Sequence, residues 1–374
     1  MTEYFCETIH DPIHGEISMS KLAIKIIDHP YFERMHYIFQ TGMAYRIFPS
    51  ATHSRKLHSI GTYGLTQRLL NILSKTTVIS NRKKELICIG ALCHDIGHCP
   101  GSHIFDKHVV QKLIKDGHIG SDHEWNEHEY RSIAIFREIT KQLDLDLTPE
   151  EVDFICNVIY PPQDLDGWEY SIVNNINHGI DTDKLDYIVR DNYTIGLKLN
   201  IDINKIITQS KIIDNKWVFS STIQDEIFNV YFVRYRLYRY IYNHPKIVSF
   251  DLLFRDIIME TPELYKKLVD IFINKSIDEL CDWTDAYVLL NGSKETKYKF
   301  NQRNGCSLVQ NNMKHTEFQE NIPLHIKICK VTKNSDKSVP FYDFNTNLPC
   351  NIKDEFLWNS LPTEEYLHYR FIMN

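Results

Sequence analysis

From residue 20 to about residue 275 the chain repeats its apolar residues mainly at three- and four-residue intervals. That period lays apolar side chains along one stripe of an α-helix, so a mainly helical fold is the expectation. "LHSIGTYGLTQRLLNIL" and "RKKELICIGALCHDIGH" read as half-buried helices, and "NEHEYRSIAIFREITKQL" and "DEIFNVYFVRYRLYRYIYN" as two more. "SKLAIKIIDH" and "YFERMHYIFQ" make two shorter helices broken at Pro30, since proline restricts the residue before it and cannot donate inside a helix. One exception interrupts the pattern. "KIIDN" and "KWVFS" form a small β-hairpin turning near Asp214–Asn215.

After about residue 275 the texture changes. "LLNGSKETKYKFNQRNGCSLVQNNMKHTEFQE" is polar with weak periodicity, "LHIKICKV" alternates like a strand, and the end "FLWNSLPTEEYLHYRFIMN" is rich in aromatics. The expected architecture is a helical domain over residues 1–275 and a small α+β lobe over 276–374. A chain of 374 residues, 43% hydrophobic, can bury a core of that size.

Several function classes fall away at this level. "MTEYFCETIHDP" has no basic start followed by an apolar run, so no secretory signal is expected. No stretch approaches the roughly 18 apolar residues of a membrane span. The nine cysteines are an odd count without paired spacing, as befits reduced thiols in an intracellular protein. A net charge of −7 argues against a general nucleic-acid field and leaves at most a local basic groove. The arginines and tyrosines of "VYFVRYRLYRYIYN" are more simply a buried aromatic stripe with cationic heads than a nucleic-acid surface.

"ALCHDIGHCPGSH", residues 91–103, is where chemistry enters. If the helix continues through it, His94 and Asp95 point about 100° apart, and His98 lies one turn beyond His94, before Pro100–Gly101 stops the helix. A neighbouring His–Asp pair can offer one imidazole nitrogen and one carboxylate oxygen to a metal ion, but three to six ligands are usual. His58, opening an amphipathic helix, and Asp183, starting another, are candidates for the rest. Two imidazoles and two carboxylates suit iron, manganese or zinc, leave positions open, and would activate water at neutral pH. Singly, each has a plainer reading: His58 as a packed histidine, Asp181 and Asp183 as helix-start residues. His10–Asp11, followed by Pro12, is a loop and is assigned no metal. There is no HExxH pattern, so zinc-peptidase chemistry has no support.

The ordered set H…HD…D is the signature of the HD phosphohydrolase superfamily. With "IHDPIHGEI", "IIDHPYFERMHYIFQTG", "FPSATHSRKLHSIG", "HGIDTDKLDYIVRDNY" and "YIYNHPK" beside "ALCHDIGHCPGSHIFD", residues 8–250 resemble the sterile-alpha-motif-and-HD-domain deoxynucleoside triphosphate triphosphohydrolases. The resemblance implies a helical HD core at about 55–190. It leaves no room for the sterile-alpha-motif domain and gives a shortened C-terminal lobe.

It also implies an activity: metal-dependent removal of the whole triphosphate from a dNTP by attack of water at the α-phosphorus. Carried over motif by motif, His58, His94, Asp95 and Asp183 hold one divalent ion, with magnesium accompanying the substrate triphosphate. His128 and Glu129 match the catalytic His–Glu pair, with His103 and Asp106 beside them and His98 lining the same pocket. Arg55, Lys184 and Arg234 match phosphate positions. Tyr187, Asp191, Gln40 and Tyr242 match positions at the phosphate and the sugar, and Asn243 replaces a glutamine near base or sugar. Arg190 reads equally well as a surface cation and is assigned no role. A homo-oligomer is in keeping with the family, and an HD phosphohydrolase acting on another nucleotide is the alternative.

Two departures carry consequences. Thr41 stands where close relatives have a leucine against the sugar, so exclusion of ribonucleotides is weakened. Glu7, Glu33 and His36 replace basic and amide residues of the guanine-nucleotide activator site, while Asp28 is retained. Carboxylates facing a triphosphate repel it, so nucleotide-activated assembly is expected to be absent or altered.

Overall fold

The structure, a computed structural model, describes residues 5–303, 306–311, 324–328, 339–351 and 365–373. The mainly helical architecture read from the sequence is the one observed. It begins, however, with an antiparallel hairpin that the helical periodicity does not announce: β1 (Phe5–Asp11) pairs with β2 (Gly15–Ser20). Asp11 stabilises the turn between them, its Oδ1 accepting the Ile13 and His14 N–H groups at 2.8 Å each. Helices α1 (Lys21–Ile27) and α2 (Pro30–Glu33) follow, and Pro30 sits in the first turn of α2, where its missing N–H costs nothing.

The core is built on α3 (Arg55–Leu73), α4 (Asn81–Cys93), α6 (His128–Leu143), α7 (Pro149–Ile159) and α8 (Thr182–Ile195), with the short α5 (Gln111–Lys115) between α4 and α6. α3 packs on both α4 and α8, and α4 also packs on α7. Four of these starts are chemically marked. Ser54 and Ser80 cap α3 and α4, a Thr148–Glu151 capping box opens α7, and Asp181 caps α8. Leu86, Ile87, Ile89 and Leu92 of α4 are buried, each contributing about 1.5–3 kcal/mol by leaving water.

α9 (Ile203–Thr208) leads into the expected hairpin, β3 (Ser210–Ile213) and β4 (Lys216–Ser220), which turns at Asp214 and Asn215, both at positive φ. The hairpin is half of a four-stranded sheet. β7 (Phe341–Asp343) adds parallel to β4, and β8 (Leu348–Cys350) adds to β7. A separate sheet orders β5 (Cys306–Asn311), β9 (Glu365–Met373) and β6 (Leu324–Ile328).

Helical packing runs past residue 275. After α10 (Gln224–Leu237), α11 (Pro245–Met259) and α12 (Pro262–Asn274) come α13 (Ile277–Cys281), α14 (Asp285–Asn291) and α15 (Lys294–Asn301). α14 and α15 pack against α11, where Phe300 meets Phe250 and Phe254. The readings for residues 312–323, for the connection after 328 and for the start of the aromatic-rich end lie outside the described residues. No helix among the described residues is long and apolar enough to cross a membrane.

Candidate metal centre and active site

α4 stops at Cys93, earlier than the sequence pattern suggests, with His94 as its C-cap. The next residues are held in a turn by a side chain from α6. Ser132 Oγ donates to the His94 carbonyl at 2.7 Å and accepts from Gly97 N–H at 2.9 Å. A Cβ on Gly97 would stand 2.2 Å from the His128 carbonyl oxygen and 2.3 Å from Ser132 N, so the close approach of α6 requires glycine there. Arg131, fully buried, adds a hydrogen bond to the Gly97 carbonyl at 2.9 Å.

The turn brings His94 and Asp95 together instead of spreading them around a helix: His94 Nε2 lies 3.4 Å from Asp95 Oδ1. His58 Nε2, from α3, lies 3.3 Å from His94 Nε2 and 3.6 Å from Asp95 Oδ2. Asp183, in the first turn of α8, brings Oδ1 to 3.0 Å from His58 Nε2 and 3.5 Å from His94 Nε2. Donors bound at about 2.0–2.2 Å to one ion sit about 3.0–3.5 Å apart at adjacent positions, so these spacings are those of a coordination shell.

The tautomers suit it. His94 Nδ1–H donates to the Ala91 carbonyl at 2.8 Å, and His58 Nδ1–H donates to Asp186 Oδ2 at 2.7 Å, so both Nε2 atoms turn toward the carboxylates. The local field favours positive charge. Burial pulls the His58 pKa down, but hydrogen bonds to Asp183 and Asp186 and the Asp95 charge outweigh it and push it up to about 10. His94 is raised by Asp95 and Asp183 in the same way, against its burial. Asp95 is held well below the carboxylate range; its burial opposes this, and Arg55, His94 and His98 overcome it. A donor set of two imidazoles and two carboxylates that draws in positive charge fits a divalent cation.

Of this group, His58, His94 and Asp95 have donor atoms within 4.8 Å of one another, and Asp183 joins through its contacts to the two histidines. Beside it stands a second group, His98, His103, Asp106 and His128, whose donor atoms lie within 4.8 Å of one another. Here the protein supplies the positive charge itself. Asp106 pairs with Arg131 through Oδ1 and accepts His128 Nδ1–H through Oδ2 at 3.1 Å. Glu129 Oε2 lies 3.3 Å from the same nitrogen, which leaves His128 Nε2 on the side of Asp95, at 3.9 Å. Burial lowers the His128 pKa, but Glu129, Asp106 and Asp95 raise it more. His98 goes the other way: burial, Arg55 and His128 push it well below its usual value.

A cavity of about 610 Å³ opens on both groups. His94, Asp95, Asp183, His103, His128 and Glu129 face it, with Arg55, Lys184, Arg234, Tyr187, Gln40, Asp191, Tyr242 and Asn243. His98 and Asp106, expected to line it, stand behind the wall instead: His98 stacks against His128 at 3.9 Å between centroids, and Asp106 props His128 from behind. Several side chains arrive already engaged. The Arg55 guanidinium pairs with Asp95 and donates to Ser102 Oγ at 3.0 Å. Lys184 Nζ reaches Asp181 at 2.7 Å, and Arg234 Nε donates to Tyr187 Oη at 3.0 Å. Asp191 is shared by His53 Nε2, at 2.6 Å, and the Tyr242 hydroxyl. Asn243 turns its amide to the Tyr238 carbonyl at 2.7 Å.

Sequence reasoning missed the layer behind these residues. Arg190, assigned no role from the sequence, is 1% exposed and bonds Asp186 twice, at 2.8 Å each. Asp186, Arg131, Ser132 and His53 went unassigned. The one legible hint was spacing: Asp186 lies one turn from both Asp183 and Arg190 on α8.

Residues 55–169 match the HD domain family. An HD domain-containing protein of Acanthamoeba polyphaga mimivirus is 31% identical over 291 residues, covering 73% of this chain and 61% of that protein. The deoxynucleoside triphosphate triphosphohydrolase SAMHD1 homolog of Dictyostelium discoideum is 30% identical over 265 residues, 69% of this chain and 50% of that one. Human deoxynucleoside triphosphate triphosphohydrolase SAMHD1 is 29% identical over 282 residues, 69% of this chain and 45% of that one. The chain thus spans about half the length of these curated relatives. The match begins at Arg55, three residues before His58, and takes in the His94–Asp95 pair, while the similarity to the longer proteins extends well beyond it. The protein carries an HD domain over residues 55–169 and is similar, over about 70% of its own length, to these deoxynucleoside triphosphate triphosphohydrolases.

Proposed function

We propose that the protein hydrolyses deoxynucleoside triphosphates to deoxynucleoside and inorganic triphosphate. The observation that carries this is the convergence of His94, Asp95 and Asp183, with His58 buried against them, at the wall of a cavity of about 610 Å³, ample for a nucleotide, that also holds Lys184, Arg234 and the Asp191–Tyr242 pair. A divalent ion held by those four residues would polarise water for attack at the α-phosphorus. Identity of that ion is left to iron, manganese or zinc.

The other parts of the reaction fall to this chain's own side chains. Lys184 and Arg234 face the cavity as cations for a polyanionic tail, steadied by Asp181 and Tyr187. Arg55 offsets the Asp95 charge, which keeps that carboxylate ionised. As water's oxygen bonds the α-phosphorus, the bond to the sugar O5′ breaks, and O5′ must gain a proton. His128 is the donor in this reading: Asp106 and Glu129 fix its Nδ1, Nε2 is left toward the reacting side, and the surrounding carboxylates raise its pKa against burial, favouring the protonated form. Asp191 and Tyr242 would meet the sugar.

A second reading concerns the sugar. Thr41 faces the cavity, and its buried hydroxyl, like Gln40 Oε1, has no hydrogen-bond partner among the described residues. Buried polar groups normally find one, and a ribose 2′-hydroxyl could supply it, so NTPs are accepted beside dNTPs in this version. Incubating the protein with each dNTP and NTP and manganese, and separating the products, tests both. Intact tripolyphosphate in one-to-one ratio with nucleoside is expected. Pyrophosphate or orthophosphate as the first product would overturn the reading.

A further inference from the structure

We propose that Asp186, held by Arg190 and by His14 of the N-terminal hairpin, is the positioning residue for His58, so that the hairpin turn is a working part of the metal centre. This rests on the metal-binding reading of His58 given above.

The chain of contacts is continuous and buried. Asp186 Oδ2 accepts His58 Nδ1–H at 2.7 Å, which fixes the ring's tautomer and aims Nε2 at Asp183, 3.0 Å away. Asp186 is fully buried, and a lone buried carboxylate is costly, so it needs partners of its own. Arg190 supplies two, through Nε and Nη2, each at 2.8 Å. His14 Nε2 supplies another, at 2.6 Å from Oδ1. Arg190 also bonds Asp11 Oδ2 at 2.8 Å, and Asp11 Oδ1 in turn accepts the backbone N–H groups of Ile13 and His14. The turn that shapes the hairpin is thereby tied, through two independent arms, to one carboxylate.

Two features argue that this is more than generic packing. A carboxylate hydrogen-bonded to the far nitrogen of a metal-ligating imidazole is the usual means of fixing its orientation and raising its basicity. The fold also reserves space for the arrangement: a Cβ on Gly61 of α3 would stand 1.9 Å from Arg190 Nη2 and 2.4 Å from Asp186 Oδ1. The helix that carries His58 is glycine where the clamp crosses it. The "DPIHG" segment, which lines no part of the cavity, gains a physical role: it closes the clamp from the side away from the substrate.

The test is a manganese titration of the metal-stripped full-length protein by calorimetry, comparing wild type, His14→Ala, His14→Gln and Asp186→Asn, with the metal-free melting temperature of each. Glutamine can present its amide nitrogen where His14 Nε2 stands, whereas alanine cannot. The expected order is Asp186→Asn weakest, 10- to 100-fold below wild type, His14→Ala several-fold weaker, and His14→Gln within about twofold of wild type. kcat should fall with metal occupancy while KM for the nucleotide at saturating manganese stays near wild type. If Asp186→Asn does not fold, the His14 pair decides. Equal manganese affinity in His14→Ala and wild type, or equal loss in His14→Ala and His14→Gln, overturns the proposal. Failure of the wild-type protein to bind manganese, iron or zinc would instead remove the metal reading itself.

Discussion

His58 Nε2 and His94 Nε2 face each other across 3.3 Å, each ring fixed from behind by a bond to its Nδ1. Two acceptor lone pairs at that distance repel unless something positive lies between or beside them. The Asp95 and Asp183 carboxylates around the pair draw positive charge in, as the upward pull on both imidazoles shows. The geometry is therefore that of a cation site built from α3, the turn after α4, and the start of α8. Those are three places far apart in the chain, and the fold is what makes them one object.

The proton donor can be tested through its prop. Burial lowers the His128 pKa, while Glu129 and Asp106 outweigh burial and raise it. A donor must be protonated to act, so the raised value extends activity toward alkaline pH. Asp106→Asn removes one of the charges, and the alkaline limb of the pH–rate profile should move down by about one unit. A profile that is unmoved, or moves upward, contradicts the role given to His128.

Asp285 gives a prediction for stability. It is 2% exposed, and burial raises its pKa to about 6 although the N–H groups of Phe39 and Gly101 oppose the rise. An unfolded aspartate titrates near 4. Between roughly pH 4 and 6 the folded state therefore holds more protons, and stability falls as pH rises through that window. At about 1.4 kcal/mol per pKa unit, about 2–3 kcal/mol is lost by pH 7. Asp285→Asn cannot ionise, so its stability relative to wild type should improve by that amount between pH 4 and pH 7. Denaturant midpoints at the two pH values measure it, and a constant difference refutes the assignment.

Gly97→Ala should be among the most damaging single-methyl changes in the chain. The new Cβ would meet backbone at 2.2 and 2.3 Å, where nothing can rotate away. A cost of about 3 kcal/mol or more is expected, with α6 displaced from the His94–Gly97 turn. A melting temperature within about 1 °C of wild type, a shift of under about 1 kcal/mol for a chain this long, would mean the approach is looser than it looks.

Glu7, Glu33 and His36 are all exposed, and Glu33 is paired with Lys56. We propose that acidic groups at these positions disfavour a guanine nucleotide activator. Titration of GTP or dGTP while oligomer mass is followed should show no nucleotide-driven assembly. Tetramers forming at micromolar nucleotide would contradict this.

How much could be read beforehand follows from how local each signal is. The periodicity of α3, α4, α6 and α10 and the turn at Asp214–Asn215 are local, and they were legible. So were His58, the His94–Asp95 pair and Asp183, because their motif order survives in one dimension. The end of α4 was misread because Ser132, from the next long helix, decides it. β7 pairs with β4 from more than a hundred residues away, so no local pattern announces it. Arg190 could be given no role because a charged residue on a helix is usually a surface cation; only the hairpin and Asp186 closing around it make it buried.

The most direct check is elemental analysis of the purified protein, set beside turnover, for wild type and a His94→Ala/Asp95→Ala variant. The wild type should carry one equivalent of divalent metal at this site and hydrolyse dNTPs, and the variant should lose both together. A variant that is folded, free of metal and still hydrolytic at the wild-type rate would contradict the account.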